Sequence, residues 1–443
     1  MTTNIYHYRN SSIEICNKNL RLLMDPWINS ANLGSWAGCN AKKFFNKKTK
    51  IQTIDFIYIS HLHSDHFDIK LLKYLKKIQK KKFKIIIKKF RDNRLKKKIL
   101  SYNFLKKKDI IELENYEIYE LKRDNYFCIL PQLSASVTIN KLINYDLDTS
   151  CIFFNKDVKL YNQVDNPYSP LDLKKIISHL KKIGIKNDYD MSFIPYCAAS
   201  EYPQGYINLN RKSEKNKIID KCLKIFYDTS KNIKTKYLVP AGGTYKLDLI
   251  YSKLNSYLAV PNNKQVIKKY KLFDKNNKIN ILDGEKYFFE FNNRKMKLKK
   301  SYYKDYFKSY INKNGKDPLD NMIKNKFNSK KIKNKLELLE KNFGSKKLEI
   351  YTKLKTSISL EIYDKQPLKI SQLKSYKKKV SHTIFNNEKK KIITLKVHMS
   401  FKVLYLLINS IISWNELQAL CLFERKPNIY EPDANFWLNL YKL

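Results

Sequence analysis

The sequence specifies a layered α/β fold, on three observations. Short β-branched and aromatic runs alternate with stretches whose apolar residues recur every three or four positions. The runs fall into two successive groups, as two halves of one architecture would. Hydrophobic residues make up 43% of the chain, enough for a large core. No stretch approaches the roughly 18 uninterrupted apolar residues of a membrane span, so no membrane partner is expected. At 443 residues there is room for two domains, or for one large domain with an extension.

Taken in order, residues 12–16 and 20–27 read as a hairpin that ends in a turn at Asp25-Pro26. A glycine-containing loop follows at Gly34-Ser35-Trp36-Ala37-Gly38. The run Ile54-Asp55-Phe56-Ile57-Tyr58-Ile59 reads as a buried strand. Apolar spacing of three and four then predicts a helix from near Ile69. Strands are predicted at residues 83–87, 126–130, 151–154, 158–161, 191–195 and 237–239, with a helix over 171–183. Composition shifts after Pro261-Asn262-Asn263-Lys264, which places a first domain at 1–262 and a Lys-rich α/β extension at 263–443. Within that extension residues 324–347 read as an amphipathic helix and 404–414 as a buried one.

The formal charge is +47 at pH 7. Arginine is about a tenth as frequent as lysine, and the lysines travel with many Asn, Ile and Tyr and with only 9 Gly and 12 Pro. That joint bias spreads over every solvated face. A nucleic-acid site would favour clustered Arg with aromatic stacking residues, so no nucleic-acid partner is expected. Seven cysteines lie far apart with no Cys-x-x-Cys pair, and the N-terminus lacks a basic start followed by an apolar run. Both point to a reduced, cytoplasmic setting.

The chemistry concentrates in Ile59-Ser60-His61-Leu62-His63-Ser64-Asp65-His66, which carries three of the seven histidines. Alternate residues of an extended segment point the same way, so His61 and His63 can face one ion together. Asp65 and His66, in the turn that follows, can reach a second. Imidazole nitrogen and carboxylate oxygen suit zinc, iron or manganese.

The segment His61-Leu62-His63-Ser64-Asp65-His66 resembles the H-x-H-x-D-H motif of the metallo-β-lactamase superfamily. Further segments resemble the branch that contains CMP-N-acetylneuraminate hydroxylase and UDP-N-acetylmuramate hydroxylase. They are Met24-Asp25-Pro26-Trp27, Tyr161-Asn162-Gln163-Val164-Asp165-Asn166, residues 195–204, Val239-Pro240-Ala241-Gly242-Gly243-Thr244-Tyr245, Trp414-Asn415-Glu416 and residues 423–427. The resemblance covers most of residues 12–262 and about the last 40. It implies a four-layer α/β/β/α sandwich and one or two divalent ions, zinc or iron. The implied ligands are His61, His63, Asp65, His66 and a bridging Asp165. Asp65 is then a ligand or a general base. Loops 195–204 and 240–245 are expected to form the rim of the cleft, with Tyr202, Gln204 and Tyr245 on the substrate.

The departures bear on mechanism. Hydrolases of this superfamily add a histidine between the cluster and the bridging aspartate, and another later. Residues 67–164 contain none, and after His179 the next is His382. Asp148, Asp190 and Glu201 are the candidates to complete the coordination of His61 and His63. The Cys-x-His and Cys-x-x-His segments of a Rieske centre are absent, so an oxygenase would need a separate redox partner. Three readings stay open: a metal-dependent hydrolase of a small anionic, nucleotide-sugar-like molecule, an iron-dependent hydroxylase (monooxygenase) of a nucleotide-activated amino sugar, and a non-catalytic binding protein with a degenerate metal site.

Overall fold

The computed structural model describes residues 2–38, 53–79, 82–91, 93–133, 148–166, 168–197, 200, 202–274, 276, 279–301, 330, 334, 337, 356–367, 369–385, 393–408, 412 and 421–430. The strands in chain order are β1 (Thr3–Arg9), β2 (Ser12–Cys16), β3 (Arg21–Met24), β4 (Phe56–Tyr58), β5 (Lys84–Lys88), β6 (Ile110–Leu113), β7 (Ile118–Lys122), β8 (Asn125–Leu130), β9 (Ser150–Phe154), β10 (Lys159–Asn162), β11 (Tyr189–Pro195), β12 (Thr235–Ala241), β13 (Asn280–Ile281), β14 (Tyr287–Asn292), β15 (Lys295–Lys300), β16 (Thr356–Tyr363), β17 (Lys378–Phe385), β18 (Ile393–Ser400) and β19 (Leu422–Lys426). The α-helices are α1 (Ile69–Ile78), α2 (Arg94–Ser101), α3 (Pro170–Lys182), α4 (Arg211–Asn232), α5 (Asn263–Phe273), α6 (Ile370–Ser375) and α7 (Phe401–Ile408).

Two mixed sheets face each other. One runs β15-β14-β1-β2-β3-β4-β5-β6 and the other β13-β12-β11-β10-β9-β8-β7. The period-2 alternation of a strand decides which side chains meet between them. Phe56, Tyr58 and Ile86 point inward and meet Phe127, Ile129 and Phe153 of the opposite sheet. Ile57, Ile85 and Ile87 point outward under Leu71, Leu72 and Leu75 of α1 and Leu95 and Ile99 of α2. On the other side Cys128 and Leu130 point outward with Leu238, under Leu173 and Ile176 of α3, Phe226 of α4 and Val266 of α5. The order of layers is α/β/β/α, as the sequence resemblance implied. Each buried Ile, Leu or Phe contributes about 1.5–3 kcal/mol, so the three apolar layers together hold the sandwich.

The sandwich continues past residue 262. Helix α5 packs on the second sheet, β13 joins its edge, and the hairpin β14–β15 extends the first sheet beside β1. The register Thr3↔Phe291 and Ile5↔Phe289 turns Phe289 and Phe291 into the inner core. A third sheet, β17-β16-β18-β19, follows. Its inner face, with Leu360, Ile362, Val397, Met399 and Phe423, packs with α7 against Trp27, Trp36, Tyr206 and Tyr245. It therefore backs loops that belong to the sandwich. The helix expected over 404–414 runs Phe401–Ile408, and residues 409–411, 413 and 414 lie outside the described residues. The helix expected over 324–347 falls almost wholly outside them as well.

Candidate metal centre

The site lies where strands of both sheets end. Parallel β3 and β4 finish side by side, with Met24 opposite Tyr58. Asp25 follows the first and the histidine segment follows the second. In the facing sheet β10 ends at Asn162, and Asp165 follows within three residues. Helix α1 starts just after the motif, capped by Asp68, whose carboxylate accepts from the Leu71 amide at 3.0 Å. Asp68 also accepts from the amides of Ile28 and Asn29 at 3.0 and 2.7 Å, which ties the motif to the loop after β3.

His61, His66 and Asp165 each offer a ligand atom, and these atoms lie within 4.8 Å of one another. His66 Nε2 is 3.2 Å from Asp165 Oδ2 and 3.5 Å from Asp65 Oδ2. His61 Nε2 is 2.8 Å from His63 Nδ1 and 3.9 Å from Asp148 Oδ1. His61, His66 and Asp165 thus form one cluster, with His63 against His61, Asp65 against His66 and Asp148 near His61. Asp190 does not. It sits at the opposite end of β11, where a strand start points away from the cleft, and is held by Lys236 and Arg294 at 2.8 and 2.7 Å. Glu201 lies outside the described residues.

Asp25 is the site residue that sequence reasoning missed as a functional group. It is fully buried and adopts a positive φ of 40°, which Asp tolerates better than most residues. Its carboxylate accepts from the Ser60 amide at 2.8 Å, from Ser60 Oγ at 2.7 Å and from His66 Nδ1 at 3.0 Å. Ser60 has a single hydroxyl proton, and it goes to Asp25. Ser60 Oγ must then accept from His61 Nδ1 at 2.9 Å. One carboxylate thus fixes both tautomers, directly for His66 and through Ser60 for His61. Both Nε2 atoms are left facing the cleft, the second-sphere arrangement that orients metal-binding imidazoles. Its sequence signals were an Asp at a strand end before Pro and the resemblance of Met24-Asp25-Pro26-Trp27, neither of which gave it a role.

The electrostatics favour a cation. Burial opposes charge on His66, yet Asp165, Asp65 and Asp25 outweigh it and hold its pKa well above the ordinary histidine value. Burial, with His66 and His63 adding to it, holds His61 well below that value. Asp65 is held below the usual carboxylate range, because the charge of His66 outweighs burial. A proton on His66 thus stands among three carboxylates. Buried carboxylates require such compensation. Ligands on one ion at about 2.1 Å lie at most about 4.2 Å apart, so the cluster fits a divalent ion after small closing shifts.

Both expected rim loops adjoin the cleft. Gly242 has φ +72°, and a methyl group there would stand 3.6 Å from Asp165 Oδ1. At Gly243 it would fall 2.1 Å from the Tyr196 ring, so only glycine permits this packing. Cys197 Sγ reaches the Gly242 carbonyl at 3.1 Å. Of the three residues expected on the substrate, Tyr245 lies beside the cluster, stacked on Trp36 at 4.5 Å. Its hydroxyl is pushed well up by burial, with Cys197 and Asp65 adding to it. Tyr202 and Gln204 turn inward instead. Tyr202 donates to the Arg211 carbonyl and packs with Ile218 and Ala259, and Gln204 Nε2 donates to the Ser200 carbonyl at 3.0 Å. Those contacts direct both side chains elsewhere, whereas Tyr245, itself buried, keeps Asp65 as a neighbour.

No family model and no curated protein matches the chain. Solved structures with a similar course include Igni18, a metallo hydrolase from Ignicoccus hospitalis, at 11% identity and TM-score 0.42, over 64% of this chain and 95% of that one. CmlA, a diiron beta-hydroxylase from Streptomyces venezuelae, is similar at 13% identity and TM-score 0.42, over 68% of this chain and 54% of its own. The metallo-beta-lactamase fold protein YhfI from Bacillus subtilis is similar at 12% identity and TM-score 0.37, over 64% and 95%. The four-layer order stands on this chain's own sheets and cores. Among the described residues no helix is long and apolar enough to cross a membrane.

Proposed function

We propose that this chain is a metal-dependent enzyme whose cleft holds one or two divalent ions on His61, His63, Asp65, His66 and Asp165, with Asp148 on the His61 side. The first reading is hydrolysis of a small anionic substrate of the nucleotide-sugar kind. One observation carries it: His66 Nε2 and Asp165 Oδ2, 99 residues apart in sequence and delivered by different sheets, meet at 3.2 Å. A divalent ion held there supplies Lewis acidity and acidifies water near neutral pH. The chain's own groups supply the rest. Asp25 holds the two imidazoles, Asp65 serves as ligand or proton acceptor, and Tyr245 with the Gly242–Gly243 loop shapes the substrate side.

One observation favours a second reading. The group beside His61 is a carboxylate, Asp148, where a hydrolase of the resembled superfamily has a histidine. A donor set balanced between oxygen and nitrogen suits iron as well as zinc. An iron-dependent hydroxylase drawing electrons from a separate protein fits that set. Metal analysis of protein purified without chelator tests both readings. Zinc with turnover of a nucleotide-sugar ester supports hydrolysis, one or two irons per chain support hydroxylation, and absence of bound metal leaves a binding protein.

A further inference from the structure

We infer that Asn10, in the turn between β1 and β2, is the positioning residue that fixes Asp65 and sets its placement against Asp165; this rests on the metal-centre reading above. Asn10 is 4% exposed and lies at φ 49°. Four hydrogen bonds hold it. Its amide donates to Thr244 Oγ1 at 2.8 Å, and its carbonyl accepts from the Gly242 amide at 3.0 Å and from His7 Nε2 at 2.8 Å. Its side-chain Nδ2 donates to Asp65 Oδ2 at 3.0 Å.

The partners come from both sheets. Asp65 follows β4 of the first sheet, whereas Gly242 and Thr244 follow β12 of the second, and Gly242 packs against Asp165. Asn10 is therefore the joint through which the two carboxylates are referred to each other. The residue type follows from two demands. A left-handed φ favours Gly, Asn and Asp. Gly has no side chain to reach Asp65, and ionised Asp has no proton to donate. Asn alone among the three meets both demands. A neutral amide also fixes the carboxylate without cancelling its charge, which leaves Asp65 free to serve a cation.

The test uses cobalt(II) as the probe, titrated into metal-free full-length protein and followed by its visible absorption. Asn10→Gly keeps the left-handed turn and removes only the donor. Its dissociation constant should rise about tenfold or more, the usual cost of losing a second-sphere partner, with far-UV circular dichroism and melting temperature near wild type. Asn10→Asp keeps the turn and the shape. An acid there can donate to Asp65 only while it holds its proton, so the pH profile of cobalt affinity should depart from the wild-type profile. Unchanged affinity in Asn10→Gly overturns the inference while the metal reading survives. If Asn10→Gly does not fold, the pH profile of Asn10→Asp decides, and one parallel to wild type overturns it. A wild-type protein that takes up no cobalt overturns the metal reading and this inference with it.

Discussion

The sandwich buries carboxylates at both of its ends and neutralises them in opposite ways. At the far end, fully buried Asp190 is met by Lys236 and Arg294, and its Oδ2 also takes the Lys159 amide at 2.9 Å. Those cations are fixed in place and stay charged at any ordinary pH. At the cleft end buried Asp25 and Asp65 face imidazoles, as do the partly buried Asp148 and Asp165. An imidazole can release its proton and present a lone pair to a metal; a guanidinium cannot. A buried aspartate is thus a candidate ligand only where its compensating charge is exchangeable. Asp190 was expected at the cleft because it precedes a strand, but the direction of β11 puts it among permanent cations.

The largest effect is expected at Asp190. Asp190→Ala leaves two cations facing each other, and should cost about 2–3 kcal/mol, less than a wholly buried pair because Lys236 and Arg294 are 56% and 39% exposed. Urea unfolding measures this, and metal stoichiometry should not move. Asp25→Asn tests the other end. Losing the carboxylate that orients both imidazoles should weaken metal binding about 10–100-fold, read by chelator competition. A change under threefold would show that Asp25 merely fills space.

A smaller effect separates the two ends by pH. In metal-free protein the folded pKa of His66 is raised, so its contribution is complete below about 6.5 and is lost as pH rises through the folded value. His61 and His7, whose values are lowered, contribute fully above 6.5 and lose it as pH falls. Stability should therefore decline with rising pH by up to about 1.4 kcal/mol per unit, and His66→Gln should flatten that limb. Persistence of the slope in His66→Gln would assign it elsewhere. Smallest of all, Lys236→Met should change stability by no more than about 1 kcal/mol, since the half-exposed lysine is backed up by Arg294.

Much of the sandwich was legible because its strands carry Ile, Phe and Tyr at period two. Helix α4, Arg211–Asn232, was not. Its buried face mixes Glu214, Thr229 and Ser230 with Ile218, Leu223 and Phe226, and lysines crowd the rest, so no clean apolar stripe emerges. Strand β1 hid for the same reason, with Thr3, His7 and Arg9 turned inside. The histidine segment was legible because four potential ligands fall within six residues. Asp25 and Asn10 were not, because their work lies in contacts to His66 and Asp65, 41 and 55 residues away. Local pattern carries no trace of such pairings. The wider reach of the two sheets escaped notice because the Lys-rich β15 conceals a hairpin that pairs beside β1.

The loop that follows Gln204 is stitched to the C-terminal sheet by backbone bonds and by Asn208, whose side chain donates to the Arg425 carbonyl at 2.8 Å. The Phe423 amide donates to the Gly205 carbonyl at 2.9 Å, and the Ile207 amide donates to the Phe423 carbonyl at 3.1 Å. During synthesis the chain emerges from its N-terminus, so every strand of the two large sheets leaves the ribosome more than a hundred residues ahead of Phe423. The nascent protein can thus bring its candidate metal ligands together while this loop still lacks its last partner. A ribosome halted before that residue would carry this loop unfastened.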